Sequence, residues 1–383
     1  MHILHVTPYF PPTWAYGGIP RIVDGLSRAQ YKTGHTISVL TTDVFDKNRR
    51  NRLPLFRSEE NINIINLPNL SNRLAYKQIF LPLRSQVLSK TPVPDIIHLH
   101  GHRHLLNTIA YRYAKKRNIP MVMTTNGTLH RHERRQRIKR VWDVLFSRPI
   151  IQYIDQYIAV SPFDVYIHKR EGIPSTKTAM IPNGLDLGEF YPLPHPNLFR
   201  TRHKLDKRPI IAYLGQLSPR KGVLHLIEAC APMTSVQLII AGNDMGIGKQ
   251  VQKAIQAHDH IQCVGLLEGA DRVQLLRDSS ILVYPSTNEI FGLSPFEGLL
   301  CGAPAIVSDD CGCGQLIDKA QAGLLVRYGD SQDIREKIRQ LLHDSELRIN
   351  MVQRGRRYIA DHLSFTKVAQ QHIELYQRVV QNQ

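Results

Sequence analysis

The sequence predicts an α/β protein built from two doubly wound parallel sheets, each covered by helices on both faces. Three observations lead there. Short β-rich apolar runs alternate with amphipathic helical stretches through almost the whole chain, which is the pattern of repeated βαβ units. The strand-like runs are apolar nearly throughout, as strands are when both sheet faces are covered. Finally, LDLGEFYPLPHPNLFRTRHKLDKRP, after residue 184, is rich in proline and charge, lacks periodicity and reads as a linker between two such series. The expected division is a Rossmann-like domain over 1–190 and a second over 191–364, facing each other across a cleft lined by strand-end loops.

In order, the first series contains strand-like HILHVTPYF (2–10), TISVLTT (36–42), DIIHLHG (95–101), PMVMTT (120–125), YIAVS (157–161) and TAMIPNG (178–184). Between the first two, IPRIVDGLSRAQYKTG has helical periodicity and stops at Gly34, as a helix stop should. The second series contains IIAYLG (210–215), VQLIIAG (236–242), IQCVG (261–265), ILVYPS (281–286), PAIVSD (304–309) and AGLLVRYGD (322–330). From about 331 to 380 the pattern is helical, broken near DHLSF at 361–365.

At 383 residues and 42% hydrophobic content the chain is long enough for two or three domains. No apolar run approaches the ~20 residues of a membrane span, and MHILHVTPYFPP lacks the charged start and long apolar stretch of a signal peptide, so a cytoplasmic location is expected. The five cysteines are scattered, and Cys311-Gly-Cys313 has no second pair at metal-binding spacing, so no metal is expected and reduced thiols fit the cytosol. The net charge of +17 is uneven: 27 Lys and Arg face 13 Asp and Glu over 1–190, against 22 and 19 in the rest. The densest run, RHERRQRIKR at 131–140, and YRYAKKR at 111–117 suit a polyanion: nucleic acid, an anionic membrane surface or a phosphorylated substrate. A nucleic-acid-binding protein is the reading from a different class. Against it, the basic run lacks an aromatic platform or a recognised module.

The loops after the strands carry the chemistry. In PYFPPTWAYGGIPRIVDGL, Gly17 and Gly18 precede Pro20, a residue suited to a helix start, and allow either close backbone approach to a ligand or a plain tight turn. In YLGQLSPRKG, Arg220 and Lys221 precede Gly222 at a strand-to-helix loop. Two adjacent cations there suit a diphosphate, because Arg forks two oxygens and Lys supplies a point charge. NDMGIGKQ (243–250) lacks the spacing of a Walker loop. In NEIFGLSPFEG, Glu289 and Glu297 flank a helix start. Ser294, Pro295 and Glu297 fit a capping box, and equally the N–H groups of Gly292, Leu293 and Ser294 fit an anion site with the two carboxylates free to accept from sugar or ribose hydroxyls.

The strings EIFGLSPFEGLLCGAPAIVSD, LGQLSPRKG, IPNGLDLGEFYP and HVTPYFPPTWAYGGIPRIVDGLSRA resemble those of retaining glycosyltransferases of the GT-B fold, family 4, over about residues 1–380. The resemblance implies a C-terminal helix, about 365–383, that crosses back to the first domain. It implies that Glu289 contacts hydroxyls of the donor sugar and Glu297 the nucleotide ribose. Arg220 and Lys221 would bind the donor's diphosphate, with the backbone at Gly17, Gly18 and Phe291 to Ser294. His100 matches a first-domain histidine beside the transferred sugar, with His98 as competitor. Gln315 replaces a Glu found in many relatives, and no Asp-x-Asp pair appears, as befits a metal-independent enzyme that uses a nucleotide-diphosphate sugar as substrate and no cofactor. The partners implied are that donor and a glycan or lipid-linked acceptor, with the 131–140 run docking on an anionic membrane surface at the inner face of the plasma membrane and no nucleic acid. Bacterial surface polysaccharide or lipopolysaccharide synthesis is the implied setting. The alternative on the same fold is a nucleotide-sugar epimerase or a phosphorylase.

Overall fold

The computed structural model describes residues 1–13, 18–45, 53–76, 79–129 and 142–382. The chain divides into two compact units, Met1–Leu185 with Leu363–Gln383, and Asp186–His362.

The first unit is built on β1 (His2–Val6), β2 (Thr36–Thr42), β3 (Phe56–Glu59), β4 (Ile62–Leu67), β5 (Ile96–His100), β6 (Met121–Thr124), β7 (Gln156–Ala159) and β8 (Thr178–Met180). Their order is β3-β4-β2-β1-β5-β6-β7-β8, parallel except for the β3–β4 pair. The chain therefore builds outward on one side of β1 and then returns to build on the other, and the order reverses between β1 and β5. Alternate residues of β1 serve the two faces. Ile3 joins the core beneath the helices Gly18–Lys32 and Phe365–Gln381, while Leu4 and Val6 join that beneath Leu105–Arg117. β1 stops four residues short of the predicted Phe10 because Pro8 has no N–H to give the ladder.

The predicted elements pass over β3 and β4. β3 is a polar edge strand with no fully buried residue, so it carries no apolar signal. The hairpin does carry a turn signal: Glu60 and Asn61 both have positive φ, 46° and 66°, the primed two-residue turn in which Asn is favoured.

The C-terminal helix, Phe365–Gln381, packs on Gly18–Lys32 within the first unit. Its first residue explains two glycines. A Cβ on Gly25 would lie 2.0 Å from the Phe365 ring and one on Gly184 2.3 Å from it, so the ring occupies the space that two missing side chains leave. Backbone bonds tie the junction: Leu185 N–H donates to Leu363 O at 2.7 Å and Phe365 N–H to Leu185 O at 3.2 Å.

The second unit holds β9 (Ile210–Leu214), β10 (Gln237–Ala241), β11 (Ile261–Gly265), β12 (Ser279–Tyr284), β13 (Ala305–Ser308) and β14 (Gly323–Val326), in the order β11-β10-β9-β12-β13-β14. All its pairings are parallel. The order reverses between β9 and β12, and in open α/β sheets the loops beyond such a point form the ligand crevice. One core packs the helices Val223–Cys230 and Ser331–His343 against Ile211, Tyr213, Leu238, Ile281 and Val283.

Candidate functional site

Arg220 and Lys221 occupy one 3₁₀ turn, Pro219–Lys221, that follows β9, and Glu289 lies on the loop that follows β12. The two loops are locked together. Gly222 takes a left-handed φ of 66°, and a Cβ there would sit 2.0 Å from the Pro285 carbonyl oxygen. Thr287 N–H donates to Arg220 O at 2.9 Å. With its backbone held this way, Arg220 exposes its side chain. Lys221 turns inward, donating to the Tyr284 hydroxyl at 2.5 Å and pairing with Glu289. The same Glu289 oxygen accepts from Tyr284 Oη at 3.3 Å and Ser286 Oγ at 3.4 Å. Burial, then the nearby Glu289 charge, push the Tyr284 phenol well above its ordinary value, so it remains a neutral donor.

The next few residues make the second half of the site. Gly292 packs on the Tyr284 ring so closely that a Cβ would lie 2.7 Å from Cε1. The N–H groups of Gly292, Leu293 and Ser294 find no acceptor among the described residues at the start of the helix Ser294–Cys301, where four N–H groups are left over by geometry. Phe291 is buried and stacks on Phe296 with ring centroids 5.4 Å apart. The capping box does not form: the helix start has no side-chain cap, and Glu297, 2% exposed, pairs instead with Arg272 of the helix Gly269–Asp278. Arg272 also reaches Glu189 at 2.7 Å. Burial lowers the Arg272 pKa, but Glu297 and Glu189 outweigh it and the net shift is upward, so the guanidinium stays charged. Gln315 is exposed on the helix Gly312–Lys319, whose N-terminal Gly312 N–H donates to Glu289 O at 2.7 Å. All five cysteines are free, and Cys311 Sγ accepts from Gly314 N–H at the start of that helix.

In the first unit the order reversal lies between β1 and β5, and both strands bring histidines to it. His100 ends β5 with its Nδ1 buried and without a partner among the described residues, whereas His98 is bonded through both ring nitrogens, to Thr124 Oγ1 at 2.7 Å and Tyr376 Oη at 2.6 Å. That difference separates the two candidates: of the two, only His100 has a ring nitrogen left without a partner among the described residues. Gly18 is the first residue of Gly18–Lys32, while Gly17 and the basic run at 131–140 lie outside the described residues.

Sequence reasoning missed His5, Gln30, Arg272, Tyr284 and Tyr376. Tyr284 closes a strand already recognised as ending in a site loop, which was its available signal. The others are brought in by packing between elements distant in sequence.

Residues 196–358 match the family described as "Glycosyl transferases group 1", and residues 16–189 match "Glycosyltransferase Family 4". The chain is 27% identical over 240 residues to the N,N'-diacetylbacillosaminyl-diphospho-undecaprenol alpha-1,3-N-acetylgalactosaminyltransferase of Campylobacter jejuni, over 60% of this chain and 62% of that one. It thus spans less than two thirds of this relative's length. Among solved structures, sucrose-phosphate synthase of Thermosynechococcus elongatus superposes with a TM-score of 0.80 at 20% identity, covering 100% of both chains. HepE of Anabaena in complex with UDP and glucose gives 0.78 at 19%, covering 99% of this chain and 100% of that one. The chain belongs to the glycosyltransferases of the GT-B fold, family 4, a family of sugar-transferring enzymes.

Proposed function

We propose that the protein moves a sugar, with retention of configuration, from a nucleotide-diphosphate donor to a hydroxyl of a glycan or lipid-linked acceptor. The observation that carries this reading is the meeting of the Arg220–Lys221 turn, the Glu289 loop and the open N–H groups of Gly292 to Ser294 at the order reversal of the second sheet. Cations and backbone donors together suit a diphosphate, and carboxylates beside them suit hydroxyls. In this arrangement a phosphate oxygen competes with Glu289 for the Lys221 ammonium. That exchange releases Glu289 to accept from the sugar. Glu297, held charged by Arg272, accepts from the ribose. In the first unit, His100 accepts from a hydroxyl of the transferred sugar.

In the proposed reaction the bond from the sugar's C1 to the leaving phosphate oxygen breaks as the acceptor oxygen bonds to C1 on the same face. The acceptor's proton passes to the departing phosphate oxygen. Lys221 and Arg220 stabilise charge that grows on that phosphate as the bond lengthens, and removing one such donor costs about 100- to 1000-fold in rate. The test is turnover of Arg220→Ala and Lys221→Ala with the fold checked by circular dichroism. Losses of that order support the assignment, and parent-like turnover in either variant removes that residue from the mechanism.

The acceptor class draws on the diphospho-undecaprenol named in the Campylobacter jejuni relative. No helix among the described residues is long and apolar enough to cross a membrane. We assign docking on an anionic membrane surface, on the cytoplasmic side, to the basic run at 131–140, in keeping with bacterial surface polysaccharide or lipopolysaccharide synthesis.

A further inference from the structure

The buried histidines of the first unit form a connected network. Ring nitrogens of His5 on β1 and of His98 and His100 on β5 lie within 4.8 Å of one another, a spacing at which a metal ion comes to mind. The bonds already made point elsewhere. Both nitrogens of His98 are engaged, as are both of His5, by Gln30 Oε1 at 2.7 Å and His100 Nε2 at 2.9 Å. An ion at these three rings would have to displace bonds that the nitrogens of His5 and His98 already make.

The directions of the bonds follow from the donors available. Gln30 Nε2 donates to Tyr376 Oη at 3.5 Å, and that hydroxyl is hydrogen-bonded to His98 Nδ1 at 2.6 Å. Gln30 therefore turns its oxygen to His5, and His5 Nε2–H is the donor of that bond. Neutral imidazole carries a single N–H, so His5 Nδ1 accepts and the proton between the two rings sits on His100 Nε2. Burial keeps these rings uncharged, lowering the pKa of His5 to about 4 and that of His100 well below its ordinary value. His100 Nδ1 is then a bare lone pair, buried and without a partner among the described residues. His100 also lines a cavity of about 10 Å³, with Thr124, Asn183 and His372 among its walls, close to the space one water needs.

We propose that Gln30 and His5 are positioning residues that lock His100 in the Nε2–H tautomer, so that its Nδ1 accepts from a hydroxyl: that of a water in the free protein and of the sugar in the bound one. The sugar half of this statement rests on the function proposed above, and the tautomer half does not.

The experiment uses the full chain labelled with ¹⁵N-histidine, read by long-range ¹H–¹⁵N correlation, which reports the protonation of each ring nitrogen. The parent protein shows His100 protonated at Nε2 and bare at Nδ1. Gln30→Met keeps the side-chain length but removes the acceptor, so His100 populates both tautomers and kcat/KM for sugar transfer falls about five- to tenfold, the worth of one hydrogen bond. Gln30→Glu, which still accepts from His5, restores the single tautomer. A parent spectrum with His100 protonated at Nδ1 overturns the proposal, as does an unchanged His100 in Gln30→Met. Added Zn²⁺ that shifts the His5 and His100 nitrogens and raises the melting temperature replaces it with the metal reading. The expected spectra in a protein that consumes no nucleotide sugar leave the tautomer lock standing and refute the proposed function instead.

Discussion

Replacing Arg272 with methionine removes the charge that Glu297 faces while keeping most of the buried volume. Glu297 is 2% exposed, and the Arg272 side chain 9%, so the pair is shielded from water. Removing one partner of such a pair costs about 3–5 kcal/mol, because the remaining charge stays desolvated. Glu189, whose side chain is 39% exposed, is hydrated and adds little. For a domain of this size each kcal/mol is worth about 2–4 °C, so the second unit's unfolding transition should drop by roughly 10 °C. The sign with pH is distinctive. Without the guanidinium, burial raises the Glu297 pKa above its unfolded value near 4.3, so the penalty is full at neutral pH and shrinks as pH falls and the carboxyl takes up a proton. The assay is urea unfolding followed by a second-unit probe at about pH 5 and about pH 7.5, with Arg272→Met/Glu297→Gln alongside. The double variant, which buries no charge, should recover at least half of the loss. A loss below about 1 kcal/mol, equal at both pH values, refutes the reasoning.

Acid should unfold the first unit early. Burial lowers His5, His104, His168 and His372 to about 4, and it also lowers His98 and His100 well below their ordinary value, so the stabilisation is complete above the unfolded value of 6.5 and is lost as pH falls from there. Asp164 opposes them: burial raises it to about 7, which favours the fold at low pH and weakens it as pH rises through 7. The histidines outnumber it, so a pH series of melting curves should show stability falling below about pH 6, and a flat profile down to about pH 4 contradicts the buried network. Gly222→Ala, with φ at 66° and a Cβ 2.0 Å from Pro285 O, should cost about 2 kcal/mol and displace the Arg220–Lys221 turn. Parent-like melting and turnover would show that the turn does not need that close approach.

Much of the second unit was legible because each of its strands is a short apolar run bounded by Gly, Pro, Ser or Asp, and each maps onto an observed strand. In the first unit the β3–β4 hairpin was not, since Phe56–Glu59 is a polar edge that no hydrophobic period reveals. The site loops could be read for the same reason as the strands: Arg220, Lys221 and Glu289 follow strands directly. What the loops hold on to is written elsewhere. Arg272 reaches Glu297 from 25 positions away in the chain, and Tyr376 reaches His98 across 278, so only packing brings them together. The capping-box pattern at Ser294 to Glu297 was present in the sequence and misleading. A buried guanidinium offers the Glu297 carboxylate a stronger, charge-assisted partner than a helix-start N–H does.

The central claim is that the second unit binds a nucleotide diphosphate through the Lys221 turn and Glu297. Thermal unfolding of the parent, Lys221→Met and Glu297→Gln with UDP, GDP and ADP tests it most directly. A ligand at about 100 times its Kd adds ~2.7 kcal/mol, a shift of several degrees. One nucleotide should stabilise the parent to that extent and both variants much less. Stabilisation by none of the three, or equal stabilisation of parent and variants, would contradict the account.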